Sequence, residues 1–178
     1  MAGTISPELQ AIVDTASRTR VLHLTNRSLT QVPPVVWTLT NLVRLDLGGN
    51  CLKRLPDDLA KLTRLEELWL NGNPLAELPP CIERCRALRV IDLRGTNVVH
   101  LPRELSRLKR IIDIDLRDAP LAPKLASAYG PGCDTQALMV ALKRVDEEAE
   151  LRLRLERKLR DTVRVGMVVA RVIGLHPG

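Results

Sequence analysis

The sequence predicts an α/β solenoid: four full repeats and a partial fifth, each giving one strand to a parallel, concave sheet, with helical caps and a long C-terminal helix. Three observations predict it. Apolar residues recur in several columns at a fixed period, which is the mark of a repeat architecture. Inside each period an apolar–x–apolar stretch alternates as a half-buried strand does. The interior must also be aliphatic, because Phe is absent and aromatics make up 2% of the chain, although 45% of residues are hydrophobic.

Leu42, Leu65, Leu88 and Ile111 are spaced 23 apart, and one step back falls on Thr19, a weak first member. The same step generates Leu22, Leu45, Leu68, Ile91 and Ile114, then Leu24, Leu47, Leu70, Leu93 and Leu116. Leu29, Leu52, Leu75, Val98 and Leu121 form another column. Val32, Leu55, Leu78 and Leu101 form the next, each followed by a proline at 33, 56, 79 or 102. Val36, Leu59, Ile82 and Leu105 continue the register, then Leu39, Leu62, Cys85 and Leu108.

Each column has a physical task. Leu45-Asp46-Leu47 alternates in and out, as a strand does. Asn50 and Asn73 follow the strands, where they are expected to turn inward and bond backbone groups that would otherwise be buried unpaired. Thr96 can do this less fully, and Arg27 and Ala119 depart from the pattern at the ends. After each Leu-Pro pair, apolar residues fall three apart, as at Leu59, Leu62 and Leu65, which suits a short helical segment on the convex side with proline near its start.

The pattern LxxLxLxxNxLxxLPxxLxxLxx resembles the leucine-rich repeat family, in the 23-residue "LP" subtype of the Ras-group repeat proteins. The resemblance covers residues 19 to about 125. It implies a right-handed leucine-rich repeat solenoid, an intracellular setting and protein partners.

A solenoid exposes raw core at its ends and needs caps. Ser6-Pro7-Glu8 reads as a helix start, and Leu9, Ile12, Val13 and Ala16 share one face, so residues 5–18 are assigned to an amino cap within a segment 1–18. The repeats occupy 19–125, and 126–178 form a C-terminal cap, a charged helix and an apolar tail. Tyr129-Gly130-Pro131-Gly132 signals a loop, after which Asp134 can cap a helix running to Arg160. Leu138, Leu142 and Val145 are expected to close the last repeat. Leu151, Leu155 and Leu159 continue an apolar stripe among seven cations and six anions between 143 and 161, available to dock on the repeats or on a partner helix. Residues 163–173 are apolar but broken by Arg164, Gly166 and Arg171, and both strand and helix stay open for them.

No catalytic constellation emerges. His23, His100 and His176 are scattered, and no Ser-His-Asp or Cys-His grouping follows from the layout. Gly48-Gly49-Asn50 and Asn71-Gly72-Asn73 hint at phosphate cradles, but they recur at the repeat period, so the repeat turn explains them. Among Cys51, Cys81, Cys85 and Cys133 the spacing Cys81–Cys85 is CxxxC, without a second pair or His at zinc-site spacing. The expectation is no enzyme, no metal, no cofactor and no small-molecule substrate. Met1-Ala2-Gly3-Thr4 does not open a secretory signal and no run of uncharged apolar residues spans a bilayer, so a cytoplasmic protein with reduced thiols and no membrane contact is expected.

The expected partner surface is the concave face. Outward positions down the sheet are His23, Asp46, Trp69, Asp92 and Asp115, beside Val21, Arg44, Glu67, Val90 and Asp113, with Arg94 and Arg117 alongside. Asp92 and Asp115 would lie on adjacent strands, where a solvated acidic stripe is preferred to a shared-proton dyad. Trp69, ringed by Arg44, Glu67, Asp92 and Arg94, has the residue chemistry of an interface anchor. On the convex side Lys61, Arg64, Arg84, Arg86, Arg103, Arg107, Lys109 and Arg110 face only Asp57, Asp58, Glu83 and Glu104. Trp37 also falls there, beside the amino cap. With six of the 27 cations being Lys, 21 are Arg, and the formal charge is +6. This points to an acidic partner surface on the convex side, and the absence of aromatics among these basic residues for base stacking argues against nucleic acid.

The functional expectation is a non-enzymatic adaptor that binds one or more proteins within a larger assembly. By family analogy its setting is cytoskeletal or ciliary. The alternative is a reversible regulatory subunit for a small GTPase or phosphatase.

Overall fold

Residues 23 apart pair directly. In the computed structural model, which describes residues 6–132 and 134–172, five strands form one parallel sheet in chain order: β1 Val21–His23, β2 Arg44–Asp46, β3 Glu67–Trp69, β4 Val90–Asp92 and β5 Asp113–Asp115. Leu22 lies beside Leu45, Leu45 beside Leu68, Leu68 beside Ile91, and Ile91 beside Ile114. The chain divides into two compact units, Met1–Lys143 and Arg144–Gly178.

In the first unit the central residue of every strand is fully buried, as are Leu24, Leu47, Leu70 and Leu93. Each leucine sequestered in this way contributes about 1.5–3 kcal/mol relative to an exposed one. The columns loosen at the ends, where Leu29 and Leu121 are only partly covered. Trp37 joins the core at 4% exposure.

The returns between strands are 3-10 helices: η1 Pro34–Thr38, η2 Asp57–Lys61, η3 Pro80–Arg84 and η4 Arg103–Arg107. Three residues per turn suits the spacing of three between apolar positions. The carbonyls of Pro33, Pro56, Pro79 and Pro102 accept from the amides of Val36, Leu59, Ile82 and Leu105 at 3.0–3.1 Å, so each repeat proline opens its helix.

After each strand the chain must turn with positive φ. Gly49, Gly72 and Gly95 take that conformation (φ 66°, 64° and 59°), and Asn26 and Asp118 take it in the same column at the two ends. These glycines are therefore a requirement of the turn. The asparagine ladder then satisfies the backbone. Asn50 Nδ2 donates to the carbonyls of Leu24 and Leu47 at 2.8 Å, and its Oδ1 accepts from the amides of Arg27 and Leu29. Asn73 bridges Leu47, Leu70 and Leu52 in the same way. Thr96 gives one such bond, to the Leu93 carbonyl at 2.7 Å.

The amino cap is α1, Pro7–Thr19, with Ser6 accepting from the Leu9 amide and Pro7 in the first turn. It runs one residue beyond the expected end, because Arg20 (φ 63°) is the residue that breaks it. Val13 and Ala16 are buried.

At the other edge two features differ from expectation. Residues Pro123–Tyr129 form a helix, α2, ending at Gly130. The outer edge of β5 is closed by hydroxyls: Tyr129 Oη accepts from the Leu116 amide and Thr135 Oγ1 from the Ile114 amide, both at 3.0 Å. Helix α3, Thr135–Val172, starts with Asp134 accepting from the Ala137 amide at 2.9 Å. Leu138 and Leu142 are buried, but Val145, expected to complete that stripe, is 50% exposed. Seven residues are nearly two turns, so Val145 stays on the stripe's side of the helix but lies about 10 Å further along its axis than Leu138.

In the second unit α3 continues to Val172, which answers helix for residues 163–172, and every residue from 151 to 160 is exposed. Residues 1–5, the first of the expected cap 5–18 included, Cys133 and residues 173–178, with His176, lie outside the described residues. No helix among the described residues is long and apolar enough to cross a membrane.

Candidate functional site: the outward strand face

Strands of three residues leave two side chains each on the outward face. In-register stacking assembles these into two rows: His23, Asp46, Trp69, Asp92 and Asp115, and Val21, Arg44, Glu67, Val90 and Asp113. All the sequence-nominated face residues are thereby brought together, with Arg94 and Arg117 one turn further along their strands' exits.

At the centre, Trp69 is half-buried and held by its neighbours. The Arg44 guanidinium lies over the indole, 4.7 Å from the ring centroid. Trp69 Nε1 donates to Glu67 Oε2 at 3.2 Å, and the same carboxylate oxygen receives Arg44 Nη1 at 3.3 Å. The stack covers Arg44 Nε, which has no hydrogen-bond partner among the described residues. Thus the tryptophan is a pre-set, partly covered anchor.

The acidic row is not the solvated stripe expected of it. Asp92 is only 3% exposed. Arg94 folds back on it, with Nε at 3.0 and 3.1 Å from the two carboxylate oxygens and Nη2 at 2.6 Å. Asp115 and Arg117 repeat the clamp one layer on, with Nη2 again at 2.6 Å. Arg94 Nε also reaches Asp115 at 3.5 Å and so links the two layers. Each carboxylate also accepts from the backbone amide two residues on. Burial pushes the Asp115 carboxyl up, but the hydrogen bonds from Arg117 and the charges of Arg117 and Arg94 outweigh it and hold the group below its ordinary range. The Arg94 guanidinium is held above its ordinary value, first by its hydrogen bond to Asp92. Each carboxylate already has its own arginine, so the pair is built as a neutralised ladder and not as a shared-proton dyad.

At the amino edge, His23 Nδ1 sits 3.4 Å from Asp46 Oδ2. Beside it a groove of about 540 Å³ runs between α1 and β1, lined by Glu8, Ala11, Ile12, Thr15, Val21, His23 and Arg27, with Arg27 paired to Glu8 at 2.9 Å. Of these, sequence reasoning placed only His23 and Val21 on the partner face. Glu8, Ala11, Ile12 and Thr15 belong to the cap, whose approach to β1 has no local signal, and Arg27 follows β1.

The thiols are poor candidates for chemistry. Cys85 is buried and its thiol is pushed up to about 12, first by that burial and then by Cys81. Burial, followed by a hydrogen bond to Asp57 and that residue's charge, pushes Cys81 up to about 11. Both are therefore protonated at neutral pH and weak as nucleophiles or ligands. Among the described residues no group of three His, Cys, Asp or Glu is placed to hold a metal.

Residues 17–75 match the leucine rich repeat family model. The fold is a leucine-rich repeat solenoid. It is similar to an internalin (inlF) of Listeria monocytogenes, with a TM-score of 0.53 and 17% identity over 62% of this chain and 36% of that one. It is also similar to a chain of the Drosophila melanogaster SNF/U2A′ complex, with a TM-score of 0.54 and 22% identity over 73% of this chain and 86% of that one. The chain thus spans about a third of the internalin's length. No curated protein sequence matches it.

In the second unit the nominated residues Leu151, Leu155 and Leu159 are 58%, 58% and 67% exposed. On a helix, steps of four keep them on one slowly drifting stripe. Ion pairs of i,i+4 spacing flank it, Arg152–Glu156 at 3.3 Å on one side and Glu150–Arg154 at 3.9 Å on the other.

Proposed function

We propose that this leucine-rich repeat protein is a non-enzymatic adaptor inside the cell, holding partner proteins on its outward strand face within a larger assembly. The observation that carries the reading is the Trp69–Arg44–Glu67 unit. An indole and a guanidinium are held rigid at the centre of the sheet before any partner arrives, which lowers the ordering cost of binding. The arginine-clamped carboxylates beside it offer a flat, internally neutralised rim. The likeness to a chain of the SNF/U2A′ complex supports an assembly role by analogy of fold alone. Leu151, Leu155 and Leu159 supply a second attachment on α3 for another chain, because exposed leucines between ion pairs make an apolar seam with a polar border. An acidic surface is the partner proposed for the opposite, 3-10 side. By family analogy we place the assembly at the cytoskeleton or cilium.

Affinity purification with the wild-type chain, Trp69→Ala and Leu155→Asp tests this. The expected result is a stoichiometric set of proteins, part of it lost with each variant. Recovery of identical sets from all three chains would overturn it. A partner that dissociates on dilution and depends on Trp69 alone would instead identify a reversible regulatory subunit for a small GTPase or phosphatase.

A further inference from the structure

The 3-10 side carries a groove whose wall is charged throughout. It has a volume of about 720 Å³ and is lined by Glu83, Arg84, Arg86, Arg107, Lys109 and Arg110. Five cations thus surround one carboxylate. The repeat builds it, since Arg84 and Arg107 hold equivalent positions one period apart and so do Arg86 and Lys109. One layer earlier the equivalents are Lys61 and Thr63, and there Lys61 is already paired with Asp58. In the groove only Arg107 takes the available carboxylate, Glu83 Oε2 at 2.7 Å. Among the described residues Arg84, Arg86, Lys109 and Arg110 make no ion pair, and all four are exposed.

We infer that this groove is a second binding site, which takes a short segment of a partner protein rich in Asp and Glu. The inference rests on the adaptor reading and gives the acidic partner of the 3-10 side a seat and a chemistry. Arginine forks match carboxylates in pairs, and lysine adds a point charge. Like charges stacked in adjacent layers repel until an anion lies between them. The wall has no aromatic side chain to stack on a base. The surplus is also confined to two repeats, with Asp57 and Asp58 in the layer before, so it offers no extended basic track for a nucleic-acid backbone.

The test uses the full chain and a fluorescein-labelled oligoglutamate peptide, read by anisotropy at low and raised salt. The groove variant is Arg86→Glu, Lys109→Glu, Arg110→Glu, and Arg18→Glu, Lys53→Glu, Arg54→Glu removes the same charge elsewhere. Circular dichroism reports folding, and Arg86→Gln, Lys109→Gln, Arg110→Gln serves if the reversed charges disturb it. The expected result is salt-sensitive binding that survives in the control and falls at least about tenfold in the groove variant. Equal losses in both variants would reduce it to bulk charge and overturn it, as would absence of binding or tighter binding of an oligouridylate of equal charge. Trp69 and Arg44 are intact throughout, so this failure leaves the strand-face reading standing. Conversely, Trp69→Ala leaves peptide binding unchanged.

Discussion

Arg44 lies over the face of Trp69, 4.7 Å from its centroid, and the two side chains share one oxygen of Glu67. The arrangement crosses two strands, joining positions that the 23-residue register sets side by side. It decides what a partner meets: an indole already oriented and a guanidinium already partly desolvated. Because Trp69 is half-buried and stands outside the core cluster, truncation should separate binding from folding. Trp69→Ala is expected to cost about 1 kcal/mol or less in stability but more than about 2 kcal/mol in partner affinity. Arg44→Lys should weaken binding too, since an ammonium cannot stack and fork at once. Chemical denaturation beside a binding isotherm checks this. A loss of stability as large as the loss of affinity would make the unit structural.

The asparagine ladder predicts a ranking. Asn73 satisfies three backbone groups, at Leu47, Leu70 and Leu52, inside the core. Thr96 satisfies one. Removing the first side chain leaves several buried groups unpaired, each expensive in an apolar interior. Asn73→Ala is therefore expected to destabilise by about 3 kcal/mol or more and Thr96→Ala by about 1. Urea unfolding would show it, and equal values would mean that water enters the turn and replaces the side chain.

The repeats were legible because their constraint is periodic. A side chain in a stacked layer sees the same environment 23 residues on, so Leu45, Leu68 and Ile91 announce their burial by position alone. The prolines, the glycine turns and the asparagines were legible for the same reason. The two ends were not. Tyr129 closes the β5 edge with a hydroxyl and α2 precedes it, but each occurs once, and a single event has no period. The face residues were placed correctly on the sheet, yet the sequence did not show that Asp92 is buried. Arg94 turns its long side chain back over this neighbour two residues away, and Asp92 also lies between Trp69 and Asp115 in the row. Strand alternation puts both outward but cannot say that one covers the other.

The edge closure can be tested atom by atom. Leu116 donates its amide to Tyr129 Oη, and Ile114 donates to Thr135 Oγ1, both at 3.0 Å. Tyr129→Phe keeps the ring in the core and removes only the hydroxyl. The expected cost is about 1–2 kcal/mol, with faster hydrogen exchange at the Leu116 amide and little change at Leu68. Thr135→Val should do the same at Ile114. Unchanged protection at both amides would show that the edge is held by something other than these hydroxyls.

Acid should loosen the carboxyl end of the sheet through Asp115. Its folded pKa lies below the ordinary value, since the bonds and charges of Arg117 and Arg94 outweigh burial. A depressed carboxyl contributes stability that is fully present above the unfolded pKa, about 3.9, and is lost as pH falls through the folded one. Stability measured by urea titration should thus hold near neutrality and fall as the solution is acidified below about pH 4. Asp115→Asn cannot titrate, so its curve should be flatter in that window. Arg117→Gln keeps the carboxylate but removes its main partner, and should flatten the curve less, because Arg94 still reaches Asp115 at 3.5 Å. Both arginines are well exposed, with side chains 41% and 57% accessible, so solvent screens the pairs and salt should shrink the difference between variants. If all three proteins showed the same acid slope, the clamp would hold the shape of the face without storing stability in its charge.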